Sequence, residues 1–195
     1  QGASGDTDRL MRRIEAEAQR MGVMVEDLLT LARLDEQRPL AREQVDLLGL
    51  AADAVHDARL LAPDRRIGLE VIDGPGTPEV LGDDARLRQV LGNLVDNALA
   101  HTPPDADVTV RVGTLGDDAV LEVADRGPGM TPEQASRAFE RFYRADTSRT
   151  SSTGGSGLGL AIVRSLVEAH GGSASVETAA GQGATFRVLL PRVQA

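Results

Sequence analysis

The sequence predicts a two-layer α/β sandwich, a mixed β-sheet with helices packed on one face, preceded by one long helix. Three observations carry this expectation. Apolar residues recur at helical spacing in four separated segments, alternating runs suited to strands lie between them, and the first segment keeps a strict heptad period.

Residues 6–36 form the heptad segment: Met11, Ile14, Ala18, Met21, Val25, Leu28 and Ala32 step alternately by three and four. Such a seam wants a partner helix. Leu10, Met24 and Leu31 widen the stripe beyond a two-stranded seam and favour a bundle, while Arg12, Arg13, Glu15, Arg20 and Glu26 cover the solvated side. Arg38-Pro39 ends the helix and divides the chain into 1–37 and 38–195. Asp46 is placed to cap a helix reaching Leu61, 67–72 reads as a strand, and Gly74-Pro75-Gly76 as a turn. Asp83 opens a helix to His101 that buries Leu87, Val90, Leu91, Leu94, Val95 and Ala98. The runs 107–112 and 119–124 flank Gly116-Asp117-Asp118 as a hairpin. Thr131-Pro132-Glu133 starts a short helix with Pro at its first position. A Ser/Thr/Gly-rich stretch, 145–157, predicts a mobile loop of the length that compact domains keep for function. A helix from Leu158 to His170 follows, then strands at 173–178 and 184–190 joined by Ala180-Gly181-Gln182-Gly183.

Composition removes several classes of function. The 195 residues are 41% hydrophobic and 26% charged, enough for a sizeable core. All 21 basic residues are Arg and 30 acids bring the net charge to −9, which argues against nucleic acid or an anionic membrane as the main partner. Without Lys there is no P-loop, and without Cys there are no disulfides or thiolate metal sites. No run approaches 18 apolar residues, so the piece is expected to be soluble. The opening Gln1-Gly-Ala-Ser-Gly suggests a fragment of a longer parent.

The polar residues that remain point to phosphate and base chemistry. On the Asp83 helix, Gln89, Asn93 and Asn97 recur every four residues opposite the leucines. Asn is costly inside a helix, and an amide can ligate a hard cation through oxygen or donate to phosphate through nitrogen, although the stripe also reads as simple solvation. Asp125-Arg-Gly-Pro-Gly129 ends a strand: either a plain turn, or a carboxylate accepting from a base amine, with Gly127 and Gly129 admitting the ligand closely. Gly155-Ser-Gly-Leu-Gly-Leu160 runs into a helix whose free amides attract phosphate. Leu160 stands where a dinucleotide fingerprint needs its third glycine.

Five segments occur in order: Asn93-Leu-Val-Asp-Asn97, Asp125-Arg-Gly-Pro-Gly129, Phe139-Glu-Arg-Phe-Tyr-Arg144, Gly155-Ser-Gly-Leu-Gly-Leu160 and Gly181-Gln-Gly-Ala-Thr-Phe186. Together they resemble the N, G1, F, G2 and G3 boxes of sensor histidine kinases of two-component systems. The resemblance implies the histidine kinase/gyrase/chaperone-type ATP-binding fold over 38–195, with 1–37 as the second helix of the dimerisation and histidine-phosphotransfer hairpin. It implies ATP and Mg²⁺ as ligands, with Asp125 on the adenine amine, Asn97 on Mg²⁺, and Asn93 on the phosphates. Gly155, Gly157 and Gly159 would supply the lid end and phosphate-facing amides beside Leu158 and Leu160. Phe139 and Tyr143 would stand at the nucleotide with Gly127 and Gly129, Thr185 near the adenine, and Arg144 at the γ-phosphate. The lid would be roughly 144–156. The parent would then be a membrane-linked, homodimeric kinase whose cytoplasmic portion serves a response regulator.

Three departures qualify the match. No histidine followed by an acid, a basic third residue and a proline at the fifth position occurs. His56-Asp57-Ala-Arg59 imitates only its start, so the acceptor histidine is expected outside this chain. His101 and His170 lie near helix C-termini, where the dipole favours a cation, and read as structural. Ala100 replaces a basic residue that many relatives carry there, for which the local net +2 of 126–149 offers compensation. The first hairpin helix is absent. Two alternatives remain: an interaction and dimerisation module with little kinase activity, or an ATPase or serine kinase of the same fold.

Overall fold

A computed structural model describes residues 2–36, 40–144 and 156–193. The long helix α1 spans Gly2–Asp35. Strand β1 (Glu43–Asp46) leads into α2 (Leu47–Leu61), where the Asp46 carboxylate accepts from the Leu48 N–H at 2.9 Å. Strands β2 (Ile67–Ile72) and β3 (Glu79–Gly82) precede α3 (Asp84–His101), capped by Asp83. The hairpin β4 (Val108–Leu115) and β5 (Asp118–Asp125) closes through Gly116-Asp117, with Gly116 at φ +61°. Helix α4 (Pro132–Arg137) starts on a capping box between Thr131 and Gln134. Helix α5 (Gly159–Ala169), β6 (Ser173–Thr178) and β7 (Ala184–Pro191) complete the chain. Two elements differ from the sequence expectation. The four-residue strands β1 and β3 pair antiparallel as a separate ribbon, a pairing invisible in segments with so few inward apolar residues.

The main sheet runs β2-β4-β5-β7-β6, parallel between β2 and β4 and antiparallel elsewhere. One face is covered by α2, α3 and α5. Val108, Val110, Val112, Leu121, Val123, Phe186, Val188 and Leu190 of the sheet share the core with Leu87, Val90, Leu91 and Leu94 of α3 and Ile162, Val163, Leu166 and Val167 of α5. Helix α1 joins this body near its C-terminal end, where Thr30 and Leu31 are buried and α1 packs on α5. Its seam residues Met11, Ile14, Met21, Val25 and Leu28 are exposed.

The opposite sheet face carries a line of alternating charge over all five strands. Arg111 bonds Glu70 at 2.8 Å and approaches Glu122 at 3.6 Å; Arg187 meets Glu122 at 2.6 Å and, diagonally, Glu177 at 2.7 Å. Glu122, the central member, is buried between its two arginines.

His170 pins α5 to the start of α3. Its Nε2 accepts from the Asp83 N–H at 3.0 Å and its Nδ1 lies 2.7 Å from the Leu166 carbonyl, so both ring nitrogens are engaged. The structural role read from sequence agrees with these two contacts. His170→Ala is expected to lower unfolding free energy by about 1–3 kcal/mol, read as a reduced urea midpoint at unchanged m-value.

Candidate functional site

Helix α3 organises the site. Its apolar side is locked into the core, so Gln89, Asn93, Asn97 and His101 are held in a stripe that starts opposite that side and drifts toward it, one residue per turn. Gln89 is taken by Arg86 at 3.0 Å. Asn93 donates from Nδ2 to the Gly159 carbonyl at 3.3 Å, and a side chain at Gly159 would rest against Asn93 in ordinary contact. The middle of α3 is thereby tied to the first residue of α5.

That end of α5 has no side-chain cap. Ser156 accepts from the Leu158 N–H at 3.2 Å, and the first helical bond runs from Ile162 N–H to Leu158 C=O. The N–H groups of Gly159, Leu160 and Ala161 therefore have no intrahelical acceptor and bear the positive end of the helix dipole. Gly155 and most of the expected lid lie outside the described residues.

Asp125, at the other end of the stripe, is half-buried at the end of β5. Its carboxylate accepts from the Gly127 N–H at 2.8 Å and from the Ala184 N–H. Burial pushes its carboxyl above the usual carboxylate range, against the pull of those two amides, His101 and Arg65. Loss of surrounding water, and then Arg144, push His101 below the ordinary imidazole value despite an open edge to its ring. The cation expected there from the helix dipole is opposed by both effects.

The glycines of this region have distinct tasks. A side chain on Gly127 would meet the Thr102 methyl at 2.7 Å. At Gly129, with φ +65°, a Cβ would stand 1.9 Å from the Ala179 carbonyl. Gly129 is thus demanded by backbone packing between the loop after β5 and the β6–β7 turn, not by the approach of a ligand. Strand alternation places Thr185 beside Ala124, on the uncovered face with Thr109, while Ala184 stands opposite Asp125. Thr185 therefore lies away from the helix-covered side.

The aromatic segment splits. Phe139 is buried edge-on against Phe186 at 6.1 Å, with the Arg164 guanidinium over its ring at 4.7 Å, which makes it a core anchor. Phe142 is exposed at φ +63°, and its N–H donates to the Gly157 carbonyl at 2.9 Å, so two left-handed residues hold the segments together. Tyr143 lies under Arg137 at 4.4 Å. Arg144 is close enough to His101 to act on it electrostatically. Sequence reasoning missed the hydrogen bond from Ser156 to Asp27 of α1 (3.3 Å) and the reach of Arg65 to the end of α3, both long-range contacts with no local pattern.

Among the described residues no three His, Asp or Glu side chains converge to hold a metal ion alone. The half-buried amide of Asn97 is a single hard-oxygen donor, which suits Mg²⁺ only when ligand phosphates and water complete the shell.

Residues 82–194 match the family of histidine kinase-, DNA gyrase B- and HSP90-like ATPases, and the chain belongs to it. Within that family it carries the catalytic domain of sensor histidine kinases. It is 47% identical over 182 residues to the probable sensor histidine kinase TcrY of Mycobacterium tuberculosis, covering 93% of this chain and 38% of the relative. Identity to the sensor histidine kinase TrcS of the same organism is 43% over 193 residues, covering 96% and 37%. The structure of full-length ShkA in complex with AMPPNP aligns with a TM-score of 0.79 at 31% identity, covering 97% of this chain and 40% of that one. The chain thus spans less than half the length of these relatives.

Because its native pKa is raised, Asp125 costs stability once ionised, and the cost grows as pH rises from the usual carboxylate value through the raised one. Asp125→Asn is therefore expected to melt, without nucleotide at pH 7, at or above the temperature of the unaltered chain. A fall of several degrees in a calorimetric scan would contradict this.

Proposed function

We propose that the chain binds Mg-ATP along α3 and that, in the protein to which it belongs, the γ-phosphate passes to a histidine nitrogen for relay to a response-regulator aspartate. One observation carries the reading. The polar stripe of α3 joins the uncapped amides of α5, at Asn93, to the half-buried carboxylate of Asp125, at His101, across eight residues or about 12 Å of helix.

The chemistry follows from these positions. The ionised Asp125 accepts a hydrogen bond from the adenine amine, and the Gly127 and Ala184 amides hold its carboxylate for that task. The Gly159, Leu160 and Ala161 amides and Asn93 receive the phosphates. Asn97 offers its oxygen to Mg²⁺, which neutralises phosphate charge when bound. Arg144 is assigned to the charge that develops on the transferred group. Transfer breaks the bond from the γ-phosphorus to its bridging oxygen and forms a phosphorus–nitrogen bond on the acceptor. That acceptor lies outside this chain. Both nitrogens of His170 are engaged, His101 stands at the base end, and His56 projects from α2.

The exposed seam of α1 supports pairing with the corresponding hairpin helices of the same or a second copy, with 1–37 belonging to the dimerisation hairpin and 38–195 to the catalytic unit. No helix among the described residues is long and apolar enough to cross a membrane. The sensor kinase relatives support a cytoplasmic placement in a membrane-linked parent.

Calorimetry with a non-hydrolysable ATP analogue and Mg²⁺ tests the reading. Binding is expected, and Asp125→Asn should weaken it by about tenfold or more, the worth of a charged hydrogen bond. Absence of binding, or binding indifferent to that substitution, would overturn it. With labelled ATP and a separately supplied acceptor hairpin, label should appear on histidine. Steady hydrolysis without an acceptor would favour an ATPase of the same fold instead.

A further inference from the structure

Arg65 lies in the turn between α2 and β2, outside the elements that carry the candidate ligand contacts. Its guanidinium nevertheless crosses to the far end of α3. Nη1 donates to the Leu99 carbonyl at 2.9 Å, and Nη2 donates to the Thr102 hydroxyl and, at 3.4 Å, to the Ala106 carbonyl. These three acceptors lie along one stretch, the last turn of α3 and the loop that leads to β4. Thr102 in turn donates to the Ala98 carbonyl at 2.6 Å. These hydrogen-bond acceptors of the guanidinium are neutral oxygens, and its Nε is buried without a hydrogen-bond partner.

The Arg65 clamp leads directly to Asp125. The Thr102 methyl lies where any side chain at position 127 would collide, 2.7 Å from a Cβ built on Gly127, and the His101 carbonyl lies 3.3 Å from the same point. The Gly127 N–H donates to the Asp125 carboxylate at 2.8 Å. The turn that Arg65 fixes is therefore the surface on which the carboxylate's own hydrogen-bond donor rests. Arg65 is also near enough to Asp125 to favour its ionised form, as is His101.

We propose that Arg65 is a positioning residue for base selection: by fixing the 99–106 segment beneath Gly127, it holds the Asp125 carboxylate in the place that accepts from an exocyclic amine. The inference rests on the nucleotide reading given above and deepens it. A guanidinium suits the task because its fork of donors reaches three oxygens at once, which a lysine ammonium at the same place would not do in fixed geometry.

Comparing ADP with IDP, in which a carbonyl replaces the base amine, tests the inference on the full chain by calorimetry. The unaltered chain is expected to favour ADP. Arg65→Met should lower ADP affinity about tenfold while leaving IDP within twofold, so that the preference collapses, and Arg65→Lys should restore part of it. A merely structural role would weaken both nucleotides alike, and that result, or an unchanged preference, would overturn the inference. Thr102→Val keeps the methyl under Gly127 and removes the hydroxyl that Arg65 grips. It should reduce the same ratio and provides the readout if Arg65→Met does not fold. Failure of the unaltered chain to bind ADP would overturn the nucleotide reading itself, whereas binding with an undisturbed preference in both variants would overturn only the role of Arg65.

Discussion

The site depends on one constraint: α3 must satisfy two neighbours at once. Leu87, Val90, Leu91 and Leu94 are fully enclosed between the sheet and the other helices, so the helix has no freedom to rotate about its axis. Rotation by one residue, about 100°, would bury the amides and expose the leucines. The sheet therefore fixes where Asn93 and Asn97 point. The tie from Asn93 to Gly159 then aligns α5, and the exit of α3 supports the loop that carries Gly127. Core packing and site geometry are consequences of the same helix orientation.

At the base end the protein meets itself closely. A Cβ on Gly183 would lie 2.0 Å from the Asp125 carbonyl, and Gly181 donates its N–H to the Pro128 carbonyl. Thr178 stitches the same region, accepting from Met130 N–H and donating to the Gly183 carbonyl at 2.6 Å. Two loops that are distant in sequence become a single backbone platform under Asp125. Backbone contacts and the single hydroxyl of Thr178 hold this platform together.

The long elements were legible because burial imposes a period on them: the leucine face of α3, the hairpin around Gly116 and the heptads of α1 each repeat often enough to read. Asp125 and the amide stripe could be picked out as candidates, since Asn is disfavoured inside a helix and a carboxylate closes a strand. What escaped has a common physical origin. Strands β1 and β3 show a single inward apolar position apiece, Val45 and Val80, or nearly so. The facing of Thr185 depended on register, where a shift of one residue exchanges the two sides of a strand. His170 was read as structural, but its partner Asp83, 87 residues away, left no local sign in the sequence. Gly129 was read as space for a ligand, but the space is filled by the chain's own carbonyl. Arg65 reaches residues 34 to 41 positions away, a partnership without local sequence signature.

The row of charge on the uncovered sheet face has a consequence for how this molecule meets its own copies. The sheet is open, and its two border strands, β2 and β6, each present the terminal member of the row, Glu70 and Glu177. Both termini are acidic. Were two sheets to approach border to border in the cell, the first side chains to face one another would be carboxylates of like sign, on a chain already at −9. The same ion pairs that bind five strands across their width thus make continuation of the sheet into a neighbour unfavourable, and lateral fibre growth is resisted at each border.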